Sequence, residues 1–407
     1  MKNQNGKIII TGADGYIGSN LRDFLETKGY EVYPLTQGES KKERFYQVEI
    51  TDEESVFKVI NNINPNIVIH TAGKASLAQC EKDKHSAWKI NVEGTKNVIA
   101  AIKRINPIIK LVFLSSDYVF SGEKGNYKEN DEPNPLTYYG KTKVESENNI
   151  KENLENYIIC RTANVYGRGG NFFNFIVESL NKNVKIEVFE DVFYTPTYID
   201  YFLDCLNKLL ESDFKGIIHA VGREKISRYD FALIVADILG KDKNLVLAVK
   251  QATDGLIAKD CSLNSGFIQG YLKNFCPSIE DSLRYCLRNL IYPYFYFGDK
   301  RGKILGLIQG LKWEEVNYIE SLKNQTRGNH YHKKTTEGFF IIEGKIKVTL
   351  NFIEEKKKEV FNAENGDFFI VKPGTIHTFE VLEDSKWINM LSEPMIEGAN
   401  DIHKIIN

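Results

Sequence analysis

Short continuous apolar runs separated by amphipathic stretches mark the first 290 or so residues. Lys7-Ile8-Ile9-Ile10-Thr11, Glu31-Val32-Tyr33-Pro34-Leu35, Asn66-Ile67-Val68-Ile69-His70 and Lys110-Leu111-Val112-Phe113-Leu114 read as strands. Runs that are apolar throughout, rather than alternating, belong to strands covered on both faces. Between them, Asn20 to Lys28, Ser55 to Asn62 and Val92 to Lys103 carry helical spacing. This βαβα rhythm predicts a doubly wound parallel sheet with helices on both faces. From about Tyr292 the helical period disappears. Gly-punctuated strand-like runs take over at Phe339 to Glu343, Lys345 to Phe352, Asp367 to Val371 and Thr378 to Leu382. They predict an all-β domain, of a size for a small barrel or jelly roll. The expected domains are 1–290 and 291–407. The aromatic seam Ile291-Tyr292-Pro293-Tyr294-Phe295-Tyr296-Phe297 is expected to pack between them rather than form a loose linker.

Composition narrows the function classes. In 407 residues, 53 basic side chains face 55 acidic ones, a net charge of −2, which leaves no electrostatic footprint for nucleic acid. Apolar runs are only a few residues long, so none is a membrane-spanning helix. Cysteines 80, 160, 205, 261, 276 and 286 are scattered, without a C-x-x-C pair. With a polar start that lacks a secretory pattern, they point to a reduced, cytoplasmic setting.

Thr11-Gly12-Ala13-Asp14-Gly15-Tyr16-Ile17-Gly18 follows the first strand and opens the first helix. A pyrophosphate needs backbone N–H groups at close range, a bare Cα surface and a helix N-terminus aimed at it. Glycines 12, 15 and 18 supply the turn, the close approach and the helix–sheet contact, so a dinucleotide is expected here. The second strand ends in Thr36-Gln37, without a carboxylate for an adenosine ribose. Lys41, Lys42 and Arg44 follow within reach of a 2′-phosphate. NADP(H) is therefore favoured over NAD(H).

Tyr139 and Lys143 lie one helical turn apart on one face. That spacing alone carries nothing, because with 21 tyrosines it occurs twice, the other pair being Tyr296/Lys300 in the seam. Context selects Tyr139. It opens a helical run, Thr142 to Asn149, after a Pro-rich loop, and Ser115-Ser116 ends the strand Lys110 to Leu114. Carboxyl ends of parallel strands form the ligand crevice of such sheets. A tyrosine with a reference pKa of ~10 needs a neighbouring cation for proton transfer at neutral pH. Lys143 and an oxidised nicotinamide would provide it, and Ser116 would hold a substrate carbonyl.

G-x-x-G-x-x-G, Ser116-Asp117-Tyr118-Val119-Phe120 and Tyr139-x-x-x-Lys143 resemble the extended short-chain dehydrogenase/reductases, most nearly the dTDP-4-dehydrorhamnose reductase branch. Asn91-Val92-Glu93-Gly94-Thr95, Asp131-Glu132-Pro133-Asn134-Pro135-Leu136, Arg161-Thr162 with Val165-Tyr166-Gly167, and Thr195-Pro196-Thr197-Tyr198 are similar to that branch too. The resemblance covers about 1 to 290. It implies Ser116, Tyr139 and Lys143 as the catalytic set. It also implies cofactor contacts at Gly12, Gly15, Tyr16, Ile17 and Gly18, at Glu49 and Ile50, at Ala72 and Gly73, and at Tyr139 and Lys143. One departure is plain: the family's Arg-Pro before Lys259-Asp260-Cys261-Ser262-Leu263 is Ile257-Ala258 here.

Three of only seven histidines fall between 330 and 377. His330 and His332 share one face of a strand, since side chains alternate. Glu337 and His377, expected on neighbouring strands, complete a three-His, one-carboxylate set suited to Zn²⁺, Mn²⁺, Fe²⁺ or Ni²⁺, with zinc the expectation. Gly328-x-His330-x-His332-x4-Glu337-x6-Gly344, with Gly366 and Pro373-Gly374-x-x-His377, resembles the two cupin motifs over roughly 295 to 407, with Lys372 where the second motif usually has proline. Asp299-Lys300-Arg301-Gly302 is similar to the start of nucleotide-sugar epimerase cupins, which implies that Arg301 meets substrate phosphate or sugar.

A reductase followed by a metal cupin resembles the bifunctional capsular-polysaccharide enzymes that make a UDP-6-deoxy-L-talosamine-type sugar. That resemblance implies C3 inversion of a UDP-2-acetamido-2,6-dideoxy-4-hexulose by the cupin, then C4 reduction with NADPH. It also implies a nucleotide-sugar substrate and a homodimer. Two alternatives stand beside it: a cupin acting as a 3,4-ketoisomerase, and a cofactor-binding regulatory subunit without catalysis, as in methionine adenosyltransferase.

Overall fold

The computed structural model describes residues 6–38, 44–167, 169–251, 257–273, 276–287, 295–299, 302–306, 313–352, 355–394 and 401–404. Contacts divide the chain into two compact units, Met1–Ile279 and Glu280–Asn407. The first four residues of the aromatic seam, 291–294, lie outside the described residues, as do the side chains of 295–297 and their packing.

In the first unit, seven strands form one parallel sheet: β1 (Lys7–Thr11), β2 (Glu31–Thr36), β3 (Tyr46–Gln47), β4 (Ile67–His70), β5 (Lys110–Ser116), β6 (Tyr157–Thr162) and β7 (Gly216–His219). Their order is β7-β6-β5-β4-β1-β2-β3. The direction of winding reverses between β1 and β4, and in such sheets the ligand crevice opens beyond the carboxyl ends at that point. The doubly wound expectation is met.

Helices α1 (Tyr16–Thr27), α2 (Glu53–Ile63), α3 (Gly94–Ile105) and α4 (Tyr138–Asn153) cover the sheet. Asp52 caps α2 by accepting from the Ser55 N–H at 3.2 Å, and Asn64 ends it in the left-handed region. The apolar stripes of α2 and α3, with Val56, Ile60, Val98 and Ile102 fully buried, lie on Ile9, Val68, Leu111 and Phe113. Each such side chain stabilises the fold by about 1.5–3 kcal/mol. Helix α4 starts four residues before the expected Thr142, because Thr137 caps it by accepting from the Gly140 N–H at 3.0 Å. Tyr139 therefore sits in its first turn.

The second unit opens on part of a helix, Ile279–Leu287. Arg284 pairs with Asp367 at 2.8 Å and Glu364 at 3.1 Å, and Tyr285 packs on the sandwich core. Among its described residues are β8 (Glu315–Ser321), β9 (Thr326–His332), β10 (Glu337–Glu343), β11 (Lys345–Phe352), β12 (Lys357–Glu364), β13 (Phe368–Val371), β14 (Thr375–Val381), β15 (Ser385–Leu391) and β16 (Ile402–Lys404). They make two antiparallel sheets, β8-β15-β10-β13 and β12-β11-β14-β9-β16, an all-β sandwich as expected. Alternation places Ile346, Val348 and Leu350 of one sheet against Phe339, Ile341 and Trp387 of the other. No described helix in either unit is long and apolar enough to cross a membrane.

Candidate active site and metal centre

The glycine turn joins β1 to α1. Gly12 has φ +66°, and a Cβ there would come within 2.8 Å of the Ala72 backbone. A Cβ on Gly18 would be driven into the Gly12 carbonyl oxygen. Both positions need glycine because backbones meet there. Gly15 is the N-cap of α1, has no side chain with which to cap it, and leaves the first N–H groups of the helix for an anion.

Beyond the strand ends lie three cavities. The first, about 360 Å³, is bordered by Gly12, Gly15, Thr36, Gln37, Glu49, Ile50, Ala72 and Gly73. Gln37 donates to Glu49 at 2.8 Å, so that carboxylate is held at the wall. The second, about 340 Å³, is bordered by Gly12, Gly15, Tyr16, Ile17, Gly18 and Gly73 on one side and by Ser116, Tyr139 and Lys143 on the other. All of the residues that the family resemblance implied as cofactor contacts border one or both cavities. Of the cations expected at a 2′-phosphate, Lys41 and Lys42 lie outside the described residues, and Arg44 is an exposed residue with φ +65°.

The third cavity, about 340 Å³, shares Ser116 and Tyr139 with the second and adds Asp117, Tyr118, Phe172, Arg228, Ala258 and Cys261. Its place past Tyr139 suits a substrate. Ala258, one of the two residues replacing the family's Arg-Pro, is buried in its wall, while Arg228 brings a cation from another element.

Lys143 donates to the Leu114 carbonyl at 2.8 Å, and its ammonium is 5.9 Å from the Tyr139 ring centroid. Burial pulls its pKa down to about 8, against the pull of Glu147. Burial pushes the Tyr139 hydroxyl up, while the neighbouring Ser116 hydroxyl pulls it down. Ser116 donates to Asp117 at 2.8 Å and accepts from the Tyr118 N–H at 3.2 Å. Asn91, in a π turn Lys89–Glu93 that leads into α3, accepts from the Lys74 N–H at 2.7 Å and donates to Thr142 at 2.9 Å, tying the loop after β4 to α4. A fully buried ion pair, Arg161 to Glu147 at 2.7 Å, ties α4 to β6, and Ser115 donates to the same carboxylate at 2.6 Å.

Sequence reasoning assigned no role to Asp117 and did not single out Arg228. Asp117 could have been noticed as the carboxylate adjoining Ser116. Arg228 carries no local signal, since only the tertiary fold brings its helix, Arg228–Ile238, to the cavity.

In the sandwich, ligand atoms of His330, His332, Glu337 and His377 all lie within 4.8 Å of one another. His330 stands opposite His377 across the β9/β14 ladder, with a register shift between Gly328 and His330. His377 does come from the strand neighbouring His330 and His332, as expected, but Glu337 does not: it is on β10 in the facing sheet, so the set bridges the sandwich. Glu337 is 3.1 Å from His377 Nε2 and 3.4 Å from His332 Nε2. Burial would raise its carboxyl, but the neighbouring imidazoles of His332, His377 and His330 outweigh it and hold the pKa low. Burial brings His377 down to about 4, hence neutral at physiological pH. Its Nδ1 faces the Thr375 carbonyl at 3.3 Å, which leaves the Nε2 lone pair for a metal. Both ring nitrogens of His332 and Oε2 of Glu337 are buried without a hydrogen-bond partner. Buried polar atoms rarely stay unsatisfied, and a divalent cation fits this donor set. Arg301 and Lys300 lie outside the described residues; Tyr296 is on a strand, Phe295–Asp299, whose side chains are not described.

Residues 6–263 match the family model for the RmlD substrate binding domain, and residues 297–392 that for the polysaccharide biosynthesis C-terminal domain. The chain is 35% identical over 240 residues to the dTDP-4-dehydrorhamnose reductase of Aggregatibacter actinomycetemcomitans, covering 57% of this chain and 78% of that protein. It is 28% identical over 245 residues to the Bos taurus methionine adenosyltransferase 2 subunit beta, covering 57% and 72%. Among solved structures, a Bacillus anthracis dTDP-4-dehydrorhamnose reductase in complex with NADP aligns at TM-score 0.63 and 29% identity, over 70% of this chain and 99% of that one.

Proposed function

The chain belongs to the RmlD substrate binding domain family, and from that premise we propose a nucleotide-sugar reductase of polysaccharide biosynthesis whose sandwich unit performs a second reaction on the same sugar. The carrying observation is continuity. The cavity that begins at the glycine turn ends at Ser116, Tyr139 and Lys143, and a further cavity opens past Tyr139. Bound there, NADPH supplies a hydride to a C4 ketone. The N-terminus of α1 and the bare glycine turn hold the pyrophosphate. Tyr139 delivers a proton to the C4 oxygen, and Lys143 supplies the positive field that favours its loss. Asn91 and the Arg161–Glu147 pair fix the helix that carries both groups.

The likeness over 245 residues to a methionine adenosyltransferase 2 subunit beta keeps a regulatory role as an outcome to exclude. Tyr139, Lys143 and Ser116 bordering one cavity support catalysis instead.

The finer reading is a cupin C3-epimerase acting on a UDP-2-acetamido-2,6-dideoxy-4-hexulose. His330, His332, Glu337 and His377 hold a divalent metal, zinc by expectation, which would polarise the C4 carbonyl. A proton on C3 is removable only beside that ketone, and reduction destroys it. The sandwich therefore acts before the reductase, although it follows in the chain. A homodimer belongs to the same proposal and is read by light scattering.

The test is a panel of UDP-, dTDP- and GDP-linked 4-keto-6-deoxy sugars, with and without NADPH, followed by NMR in D2O. Deuterium at C3 without NADPH, then C4 reduction with it, is the expected result. A 3-keto product would make the sandwich a ketoisomerase. Absence of NADPH oxidation across the panel would overturn the reductase.

A further inference from the structure

Hydrogen-bond accounting around Ser116 leads beyond the catalytic set. A serine hydroxyl has one hydrogen to give and two lone pairs to receive. Here the hydrogen goes to the Asp117 carboxylate at 2.8 Å, and one lone pair takes the Tyr118 N–H at 3.2 Å. The other takes no hydrogen bond from the described residues, and Ser116 shares the wall of the second cavity with Tyr139. In this arrangement Ser116 has nothing left to donate, and a ketone entering beside Tyr139 meets one donor rather than two.

Protonating Asp117 changes the count. A carboxylic acid can donate to Ser116, taking its second lone pair. The serine hydrogen is then free for the ketone. Ser116 receives from Tyr118 and Asp117 and gives to the carbonyl; Tyr139 gives to the same carbonyl. Every donor is used.

We propose that Asp117 is a positioning residue that gates the reductase: protonated, it releases Ser116 to act as a second donor to the C4 oxygen; ionised, it withholds that donor. The proposal rests on the reductase reading above. Asp117 is 5% exposed, on the turn after β5. It is faced by Tyr118 on its own turn, Tyr139 from α4, Arg228 from the helix Arg228–Ile238, and Cys261 in the wall of the third cavity. Burial pushes its carboxyl up to about 6, with the Ser116 bond and then the Arg228 charge pulling the other way. Arg228 is held against the Phe172 ring, 5.2 Å from its centroid. It is the cation that sets where the gate turns.

The experiment follows single-turnover hydride transfer from NADPH to UDP-2-acetamido-2,6-dideoxy-4-hexulose and to dTDP-4-dehydrorhamnose between pH 5 and 8. Deuterated NADPH confirms that the hydride step is observed. The rate should rise as pH falls through Asp117's titration, toward a plateau roughly 10²-fold above the alkaline one, the scale of one donor at a developing oxyanion. Asp117→Asn should abolish that limb, because an amide with its carbonyl turned to Arg228 donates to Ser116 at every pH. Arg228→Met should move the limb to higher pH, since the cation no longer favours the carboxylate. A flat wild-type profile, or the same limb in Asp117→Asn, would overturn the gate.

Carbon-13 NMR of aspartate-labelled enzyme with NADP⁺ reads the titration without turnover, Asp117→Asn identifying its resonance. A carboxyl that does not titrate between pH 5 and 8 overturns the gate whatever the panel shows. A carboxyl that titrates while no keto-sugar is reduced convicts the reductase reading, and with it the gate.

Discussion

The crevice of the parallel sheet and the interior of the sandwich hold their buried polar groups in opposite ways. His70, at the end of β4, is fully buried, with Nδ1 2.7 Å from the Thr11 hydroxyl and Nε2 3.1 Å from that of Thr95. Both nitrogens are satisfied inside the fold. His332, equally buried, has neither nitrogen satisfied, and Oε2 of Glu337 shares that state. The first is a structural histidine; the second belongs to the four residues that would hold the proposed metal. Exposure alone would not separate them. Their hydrogen-bond inventories do.

The same contrast runs through the carboxylates. Glu147 is saturated by Arg161 and Ser115 and ties helix to sheet. Glu337 is bonded by Asn389 at 3.2 Å on one oxygen only. One region is complete before a ligand arrives, so its chemistry depends on cofactor and substrate. The other leaves buried donors unpaired, so under the proposed metal its stability would depend on that cation.

The largest expected effect tests whether the two regions act independently. Tyr139→Phe removes the proton donor and should lower NADPH turnover by ~10²–10⁴-fold. Cofactor affinity, measured by fluorescence titration, should be kept, because the glycine turn and Lys143 are untouched. Deuterium exchange into C3 should continue without NADPH. If exchange stopped as well, both reactions would belong to the first unit.

Next comes the saturated pair. Arg161→Met leaves Glu147 buried with Ser115 as its remaining hydrogen-bond partner, and losing one partner of a buried pair costs about 3–5 kcal/mol. Urea unfolding should show that loss in the first unit's transition, with the sandwich's transition unmoved. A change under ~1 kcal/mol would mean that the carboxyl simply protonates and the pair is dispensable.

Removal of metal by a chelator, or His377→Ala, should act the other way round. The sandwich transition should fall in temperature, metal content by elemental analysis should drop, and NADPH oxidation with a sugar already inverted at C3 should persist. A linked gain of RT ln(1 + [L]/Kd) gives about 2.7 kcal/mol when free metal is a hundredfold above its Kd. A thermal scan that ignores both chelator and zinc would leave the four residues as an apo cluster.

The sequence made much of this legible, and for physical reasons. The sheet's strands are apolar throughout, the glycine turn needs bare Cα positions, and H-x-H on a strand puts two imidazoles on one face; each is a local signal. What stayed hidden depends on distant chain. The helix Ile279–Leu287 is drawn largely into the sandwich unit by Arg284 and Tyr285 meeting residues some 80 positions later. Glu337 crosses to the facing sheet because of strand order, which spacing does not encode. Arg228 reaches the third cavity only once its helix has packed.

The smallest effect sharpens the comparison of histidines. Burial lowers the pKa of His70 to about 3, with the Lys143 charge adding to it, whereas an unfolded histidine titrates near ~6.5. As pH falls below that value the unfolded chain takes up a proton that folded His70 refuses. Stability is thus intact above about pH 6.5 and is lost progressively toward pH 3, the reverse of a histidine gaining an acidic partner. One such group contributes up to ~1.4 kcal/mol per pH unit in that window. Buried His219, likewise lowered to about 3, adds a second proton to the same unit. His70→Gln removes one of the two. Its stability at pH 7 should fall through the lost threonine bonds, but its decline from pH 6.5 to 5 should be shallower by about one proton. Urea midpoints of the first unit at pH 7, 6 and 5 measure this directly. An unchanged slope would mean that His70 is protonated in the fold, and that its threonine bonds are not those of a neutral ring.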